Sequence, residues 1–317
     1  MARVLRLELF LSSVLHPVIA SLSGFSLLPS YTVIGLTLGG VYALAATGLV
    51  LIYRVSGVLN FAHGAVAMFS TFVAYQISVV AGIPSLIGLL AAVATGAALG
   101  FVIEFLTIRP LTGRPPLTKV AVTIAWLLVL QTAAGLIWGS TGYHRPVQLV
   151  GSNGFTVPFT NVVVGYDQLT IFLVAVGLSL GTSALLRWTS LGAQMRAVAD
   201  DPQAARLWGI DVDRVSAASW MIGSGMAAVA GVLITPLLNF DTYSLTVLVI
   251  DAFTAALIGR LTNLPLTVVG AILLGLVQYY PKAFFSQAGL SELSTFALAL
   301  ITLAVVFRPG LSGARGR

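Results

Sequence analysis

The chain has 317 residues, of which 58% are hydrophobic and only 8% are charged, with a mean hydropathy of +1.00. Soluble domains carry about 25% charged residues, so this composition excludes a water-soluble protein and indicates an integral membrane protein. The lack of cysteine excludes disulfides and thiolate metal sites, and three histidines leave little room for a metal centre. We interpret the formal net charge of +6 as basic residues at cytoplasmic helix ends rather than as a nucleic-acid surface.

Apolar stretches long enough to cross a lipid bilayer follow one another along the chain. Residues 1–29 hold a weak first segment, because serines, His16 and Pro17 interrupt its apolar run; we interpret it as a weak span or an interfacial segment. The sequence predicts an all-α, polytopic transmembrane helical bundle of about eight to ten spans, in one domain of residues 1–317. The clearer spans are Tyr31–Tyr53, Val58–Val80, Pro84–Leu106, Leu117–Gly139, Gln168–Leu186, Val215–Leu238, the short Leu245–Gly259, Leu266–Tyr280 and Leu293–Phe307.

Basic residues are distributed unequally between the loops. If residues 189–213 are cytoplasmic, all of the 16 lysines and arginines except Arg145 and Lys282 lie on the cytoplasmic side, provided that the first segment crosses the membrane. Cytoplasmic loops are enriched in basic residues. We therefore predict a multi-pass protein of the cell inner membrane with a cytoplasmic C-terminus.

Two loops between the spans are long. The outer loop, residues 140–166, is rich in Gly, Pro and Asn, and its β-prone run Thr156–Val164 predicts a small external hairpin. The inner loop, residues 189–213, is the longest polar stretch of the chain and holds much of its charge.

The inner loop carries start and stop signals for a short helix. Asp201 suits the N-cap and Pro202 the first helical position, whereas Gly209 can take the left-handed conformation that ends a helix. We expect a helix of about two turns on the cytoplasmic surface, which either couples to a partner ATPase or belongs to an ordinary solvated loop. The residues assigned to coupling are Arg196, Asp200, Asp201, Ala204, Ala205, Arg206, Trp208 and Gly209.

This stretch resembles the "EAA" loop of ATP-binding-cassette importer permeases. That loop has an acidic residue, paired alanines, and a glycine four residues after the second alanine. Here Ala204 and Ala205 are the alanines, Gly209 is the glycine, and Asp200 or Asp201 takes the acidic position in place of glutamate.

Further blocks resemble the branched-chain amino acid permease family. They run from Gly35 to Leu311, nearly the whole chain, and include the NFAHG sequence that is most typical of the family. The blocks are Gly35–Leu44 with Gly48–Tyr53, then Asn60–Gly64, then Asp251–Gly259 with Leu264–Gly270, and finally Arg308–Leu311.

The polar residues of these blocks are the candidates for the translocation path. Asn60 and His63 lie at a membrane boundary beside Gly64, where polar groups face a cavity or a partner, or else join two helices by hydrogen bonds. Asp251 interrupts a short apolar span at a position where the family usually has lysine. Asp251 either lines the translocation path or contacts another subunit, or else it forms a structural ion pair at the membrane interface.

The resemblance implies a set of partners. An importer of this kind has two ABC ATPase subunits, a second homologous permease that makes a heterodimer, and an external solute-binding protein, all around a chain embedded in the lipid bilayer. The chain has no phosphate-binding loop, because its lysines are only Lys119 and Lys282. We therefore expect no catalytic residue, no metal and no cofactor on this chain, with ATP bound by partner subunits.

The resemblance also suggests the solute. Branched-chain and other hydrophobic amino acids are expected, with urea, short amides or another small polar solute as an alternative within the same importers. An ATP-independent channel or secondary transporter is the rival class, and it would not need the capped inner helix.

Two packing predictions concern the third span. Glu104 lies near the inner end of that span and close to Arg109 in the sequence, and we expect the two to form an ion pair at the membrane boundary. Gly96 and Gly100 have the GxxxG spacing that allows another helix to approach closely.

Overall fold

The computed structural model describes residues 2–139, 144–151, 153–158, 162–237, 241–285 and 289–306, with side chains from residue 25 to residue 305. Within these residues, seven helices are long and apolar enough to cross a membrane, and two shorter apolar helices, Thr242–Ile258 and Leu290–Val305, accompany them. The predicted all-α, polytopic architecture is therefore confirmed.

The helices are joined by short connections except at the two predicted long loops. In chain order the elements are α1 (Ala2–Ser56), α2 (His63–Tyr75, continued by a π-turn at Gln76–Val80), α3 (Ser85–Ile103, continued by a π-turn at Glu104–Ile108 and a 3₁₀ turn at Arg109–Leu111), α4 (Pro116–Trp138), β1 (Gly154–Val157), β2 (Val162–Gly165), α5 (Tyr166–Trp188), α6 (Ser190–Asp200), α7 (Pro202–Leu207), α8 (Val212–Ile234), α9 (Thr242–Ile258), α10 (Leu264–Tyr279, continued by a 3₁₀ turn at Tyr280–Ala283) and α11 (Leu290–Val306).

Helices α1 and α8 form the centre of the bundle. Their apolar windows are each 83% buried within the chain, whereas those of α4 and α5 are 17% and 22% buried. An apolar helix that the protein does not cover must meet lipid or another subunit. The peripheral helices α4 and α5 are therefore the surfaces that the chain offers to its surroundings.

Glycines allow the central helices to touch backbone to backbone. A Cβ atom on Gly48 of α1 would lie 2.6 Å from the carbonyl oxygen of Gly223 on α8, and the reverse substitution gives the same distance. Gly96 and Gly100 of α3 likewise meet the backbone of Ser224 and Trp220 on α8. Close approach at small residues is the usual basis of helix packing in membranes, and the GxxxG prediction is confirmed.

The N-terminal segment continues the first span. Residues 2–56 form one uninterrupted helix, of which Phe25–Ser56 is apolar enough to span a membrane. The interpretation of residues 1–29 as a separate weak span or interfacial segment stays a prediction.

The outer loop and the third span match their predictions. Strands β1 and β2 pair antiparallel, with Phe155 opposite Val164, in the predicted hairpin. The backbone N–H of Val147 donates to the hydroxyl of Thr235 at 3.2 Å, which places this loop over the end of α8. The predicted boundary ion pair is also present, with Arg109 Nη2 3.1 Å from Glu104 Oε2.

Candidate coupling and translocation sites

Helix α7 has the two caps that the sequence predicted. The Asp201 carboxylate accepts hydrogen bonds from the backbone N–H groups of Gln203 and Ala204 at 2.8 and 3.0 Å, which satisfies donors that a helix start leaves free. At the other end Gly209 has a φ of +80°. The N–H of Ile210 reaches the Ala205 carbonyl at 3.0 Å, which is the Schellman arrangement. The predicted helix within the inner loop is confirmed.

A second helix precedes α7 in the same loop. Helix α6 begins at the N-cap Thr189, whose hydroxyl accepts from the N–H of Gly192 at 3.1 Å. The guanidinium of Arg196 donates to the carbonyl of Leu186 on α5. Arg196 therefore anchors α6 to the end of α5, while Asp200, at the last position of α6, is exposed.

The two alanines of α7 have different environments. Ala205 is only 3% exposed and packs in a hydrophobic cluster with Met195 and Val198 of α6 and Val215 of α8. Both alanines were assigned to coupling, and that role stays a prediction; the methyl group of Ala205 faces the chain's own core and is not on the free surface of α7. Ala204 is half-buried and keeps part of its surface free.

The C-terminal end of α7 exposes two large apolar side chains. Leu207 is 90% and Trp208 is 87% exposed, at consecutive positions at the end of the helix. Arg206 lies next to them and contacts Asp213 of α8 at 3.5 Å, an exposed pair of small energetic value. The sequence indicated Trp208 and Arg206 but missed Leu207, which the run of helix formers did not distinguish from a core residue.

The NFAHG segment lies in a break between α1 and α2. Gly57 has a φ of +67°, and its N–H closes α1 with a 2.8 Å bond to the Tyr53 carbonyl. The helix predicted from Val58 therefore begins only at His63, a difference that the left-handed Gly57 explains. The backbone of residues 59–61 is held by the Thr123 hydroxyl of α4, which accepts from the N–H of Phe61 at 3.2 Å.

The polar residues of this segment are buried in the bundle. His63 Nε2 lies 2.9 Å from the Ala45 carbonyl of α1, so this ring joins α2 to α1. Asn60 is fully buried, and neither atom of its side-chain amide has a hydrogen-bond partner among the described residues. A Cβ atom on Gly64 would collide with the Thr246 carbonyl of α9, so Gly64 sets the contact between α2 and α9.

Asp251 belongs to a separate polar group near the middle of α9. Its Oδ1 accepts hydrogen bonds from Gln278 Nε2 of α10 at 2.7 Å and from the Thr295 hydroxyl of α11 at 3.1 Å. The Tyr42 hydroxyl of α1 donates to Gln278 Oε1 at 2.9 Å. These four residues line one cavity of about 560 Å³, which none of the NFAHG residues lines. The four predicted path residues therefore lie at two places in the bundle, not at one.

Apolar helices of spanning length around a cavity that contains a buried polar group, with a capped surface helix between two spans, define a multi-pass membrane transport protein. The chain belongs to the family described as "Branched-chain amino acid transport system / permease component", which it matches over residues 31–306. The resemblance inferred from the sequence blocks is thus confirmed, and membership of this family does not favour the channel or secondary-transporter alternative.

Named relatives support the same family. The chain is 31% identical to the high-affinity branched-chain amino acid transport system permease protein LivH of Escherichia coli (strain K12), covering 86% of this chain and 91% of LivH. It is 32% identical to the permease protein BraD of Pseudomonas aeruginosa, with 89% and 94% covered. It is also similar to the autoinducer 2 import system permease protein LsrC of Salmonella choleraesuis, at 30% identity over 48% of this chain and 46% of LsrC.

Proposed function

We propose that this chain is the permease subunit of an ATP-driven importer of branched-chain or related hydrophobic amino acids in the cell inner membrane. The family match over residues 31–306 supports the permease role, and the printed names of LivH and BraD support the solute class. In this proposal ATP is bound and hydrolysed by partner chains, and the permease itself holds no cofactor and catalyses no reaction.

The observation that carries the coupling role is the exposed apolar end of α7. Leu207 and Trp208 are 90% and 87% exposed on a helix that is capped at both ends. Full burial of one such side chain is worth about 1.5–3 kcal/mol, and tryptophan is a frequent anchor of protein interfaces. A rigid helix that presents two such side chains fits a groove on an ATPase subunit.

The buried side of α7 connects this docking surface to the spans. Ala205 shares one hydrophobic cluster with Leu51 of α1, Val249 of α9 and Leu264 of α10. Closely packed interiors move as units rather than deform continuously. Closure of two ATPase subunits would therefore move α6 and α7 together with the cytoplasmic ends of α1, α9 and α10.

The remaining partners follow from the family. A second, homologous permease forms the other half of the path, and an external solute-binding protein delivers the solute at the end of the bundle that carries the β1–β2 hairpin. In this orientation the C-terminus is cytoplasmic. Asp251 lines the cavity of about 560 Å³, which in this proposal is part of the translocation path. Asn60, His63 and Gly64 instead control how tightly α1, α2 and α9 pack against one another.

The test is uptake of radiolabelled leucine by the complete importer in proteoliposomes, with the binding protein outside and ATP supplied to the ATPase side. The double variant Leu207→Ser, Trp208→Ser is expected to lose ATPase subunits on purification and to lose ATP-dependent uptake. Truncation of one interface hot spot costs at least about 2 kcal/mol, or about thirtyfold in affinity.

A matched control is Trp188→Ser. Trp188 is 79% exposed and lies at the end of α5, outside α7, so its replacement should leave the ATPase subunits bound. Uptake by the chain alone without ATP would contradict the proposal, as would a double variant that keeps both its ATPase subunits and its uptake.

A further inference from the structure

The cavity that Asp251 lines is a crevice that extends from the middle of α9 to its first turn. Tyr243 lies in the first turn of α9 and Glu292 in the first turn of α11, and both line the cavity together with Asp251. Asp251 lies nine residues below Thr242, about 13 Å along the helix at 1.5 Å per residue. The first turn of α9 follows the end of α8 on which the outer loop packs, so this end of the crevice lies on the hairpin side.

The carboxylate at the bottom of this crevice is held by neutral groups. Gln278 and Thr295 donate to one of its oxygens, and no described lysine, arginine or histidine lies within 4.0 Å of it. Carboxylates within membrane spans are costly and are normally paired with a cation. The fixed orientation of the Asp251 carboxylate and its lack of a cationic partner leave it free for a cation that enters the crevice.

Aromatic rings line the way to this carboxylate. Tyr42, Tyr243, Tyr279 and Phe296 all contribute to the cavity wall, and ring faces attract ammonium groups. The ammonium of Lys282 already lies 4.2 Å from the centroid of the Tyr279 ring, so one of these rings takes a primary ammonium group in this structure. The charged residues that line the cavity are Asp251, Glu292 and Lys282, and their net charge favours a cation.

We infer that the crevice binds the primary ammonium group of a small solute, with the Asp251 carboxylate as its anionic partner and the aromatic rings as its walls. The cavity of about 560 Å³ falls within the range typical of small-molecule sites, about 300–1,000 Å³. This inference rests on the proposed function, since it assigns the ammonium end of the transported amino acid to Asp251. It gives a positive group in the solute a defined place near the middle of α9.

The experiment uses the absence of native cysteine. A single cysteine at Ala299, which lines the crevice, is labelled with a maleimide in the assembled complex in lipid nanodiscs, without ATP. The probes are L-leucine, 3-methylbutylamine, which lacks the carboxylate, and 4-methylpentanoate, which lacks the ammonium group. When the solute concentration is twice the dissociation constant, about one third of the sites are free, so labelling should slow about threefold.

We expect leucine and 3-methylbutylamine to slow labelling of Ala299→Cys, and 4-methylpentanoate to leave it unchanged. Asp251→Asn should weaken this protection about tenfold or more in solute concentration, because it removes the charge from the bond to the ammonium group. Asp251→Glu should keep most of it, and the control Asp167→Asn, which removes a carboxylate in the first turn of α5 outside the crevice, should keep it as well.

Three results would overturn the inference. The first is protection that is equal for all three solutes or absent for all of them. The second is unchanged protection by leucine in Asp251→Asn. The third is a cysteine that reacts in the isolated chain but not in the complex, because a partner subunit then fills the crevice and supplies the cation. The assay needs no ATP, so its failure is separate from a failure of ATP-dependent uptake.

Discussion

Replacement of Asp201 separates its role as a helix cap from its charge. In the structure one carboxylate oxygen accepts from the N–H groups of both Gln203 and Ala204. Asp201→Ala leaves these donors to water, whereas Asp201→Ser keeps an acceptor for them. Asp200→Asn removes the neighbouring charge without touching the cap, because Asp200 lies on α6.

The expected magnitude follows from the size of the helix. Loss of an N-cap acceptor costs about 1 kcal/mol, or about fivefold in the ratio of folded to open helix. Helix α7 has only 6 residues, far below the length at which a helix is stable by itself. It therefore depends on its caps and on the burial of Ala205, and a fivefold change should reduce coupling measurably.

Two assays check this expectation. Hydrogen exchange of the peptide that contains Gln203 and Ala204 should be about fivefold faster in Asp201→Ala than in the native chain, and ATP-dependent leucine uptake should fall. Asp201→Ser and Asp200→Asn should resemble the native chain in both assays. The reasoning is refuted if Asp201→Ser loses uptake as completely as Asp201→Ala, because the charge and not the cap would then be what coupling requires.

Three further variants test the packing of the bundle. Gly64→Val should prevent assembly of a stable chain, because its side chain would enter the Thr246 backbone; the native chain should remain monodisperse in detergent where the variant aggregates. Glu104→Ala should lower thermal stability by about 1–3 kcal/mol, since the buried Glu104 is the anionic partner of Arg109, and tryptophan fluorescence during heating measures this. Asn60→Leu should keep or raise thermal stability, because it removes a buried amide without partners; a loss of leucine uptake by this stable variant would assign Asn60 to transport, whereas a lower melting temperature would show that its amide is hydrogen-bonded in the membrane.

Features that depend on neighbours along the chain were predictable from the sequence. The caps of α7 are bonds between residues two to five positions apart, and the chemistry of Asp201 and Gly209 is enough to place them. The β1–β2 hairpin and the ion pair of Glu104 with Arg109 are local in the same sense. In each case the type of side chain determines which nearby backbone or side-chain group it can bind by a hydrogen bond or an ion pair.

Features that depend on distant helices were not predictable in this way. The partners of Asp251 come from α10 and α11, and nothing in the spacing of Gln278 or Thr295 indicates that they meet it. The inward orientation of Ala205 depends on the angle at which α7 packs on α8. The start of α2 at His63 required Gly57 to adopt its left-handed conformation, which glycine permits but does not require.

The short length of α9 has an electrical consequence. If water fills the crevice, it brings the potential of the outer solution to Asp251, and most of the transmembrane voltage then falls across the protein below it. That part of α9, from residue 251 to residue 258, is about 10 Å long. Moving one elementary charge across a potential difference of 100 mV changes its free energy by about 2.3 kcal/mol. A charged solute would therefore reach Asp251 with little electrical work, and the step beyond Asp251 would be the one that responds to membrane voltage.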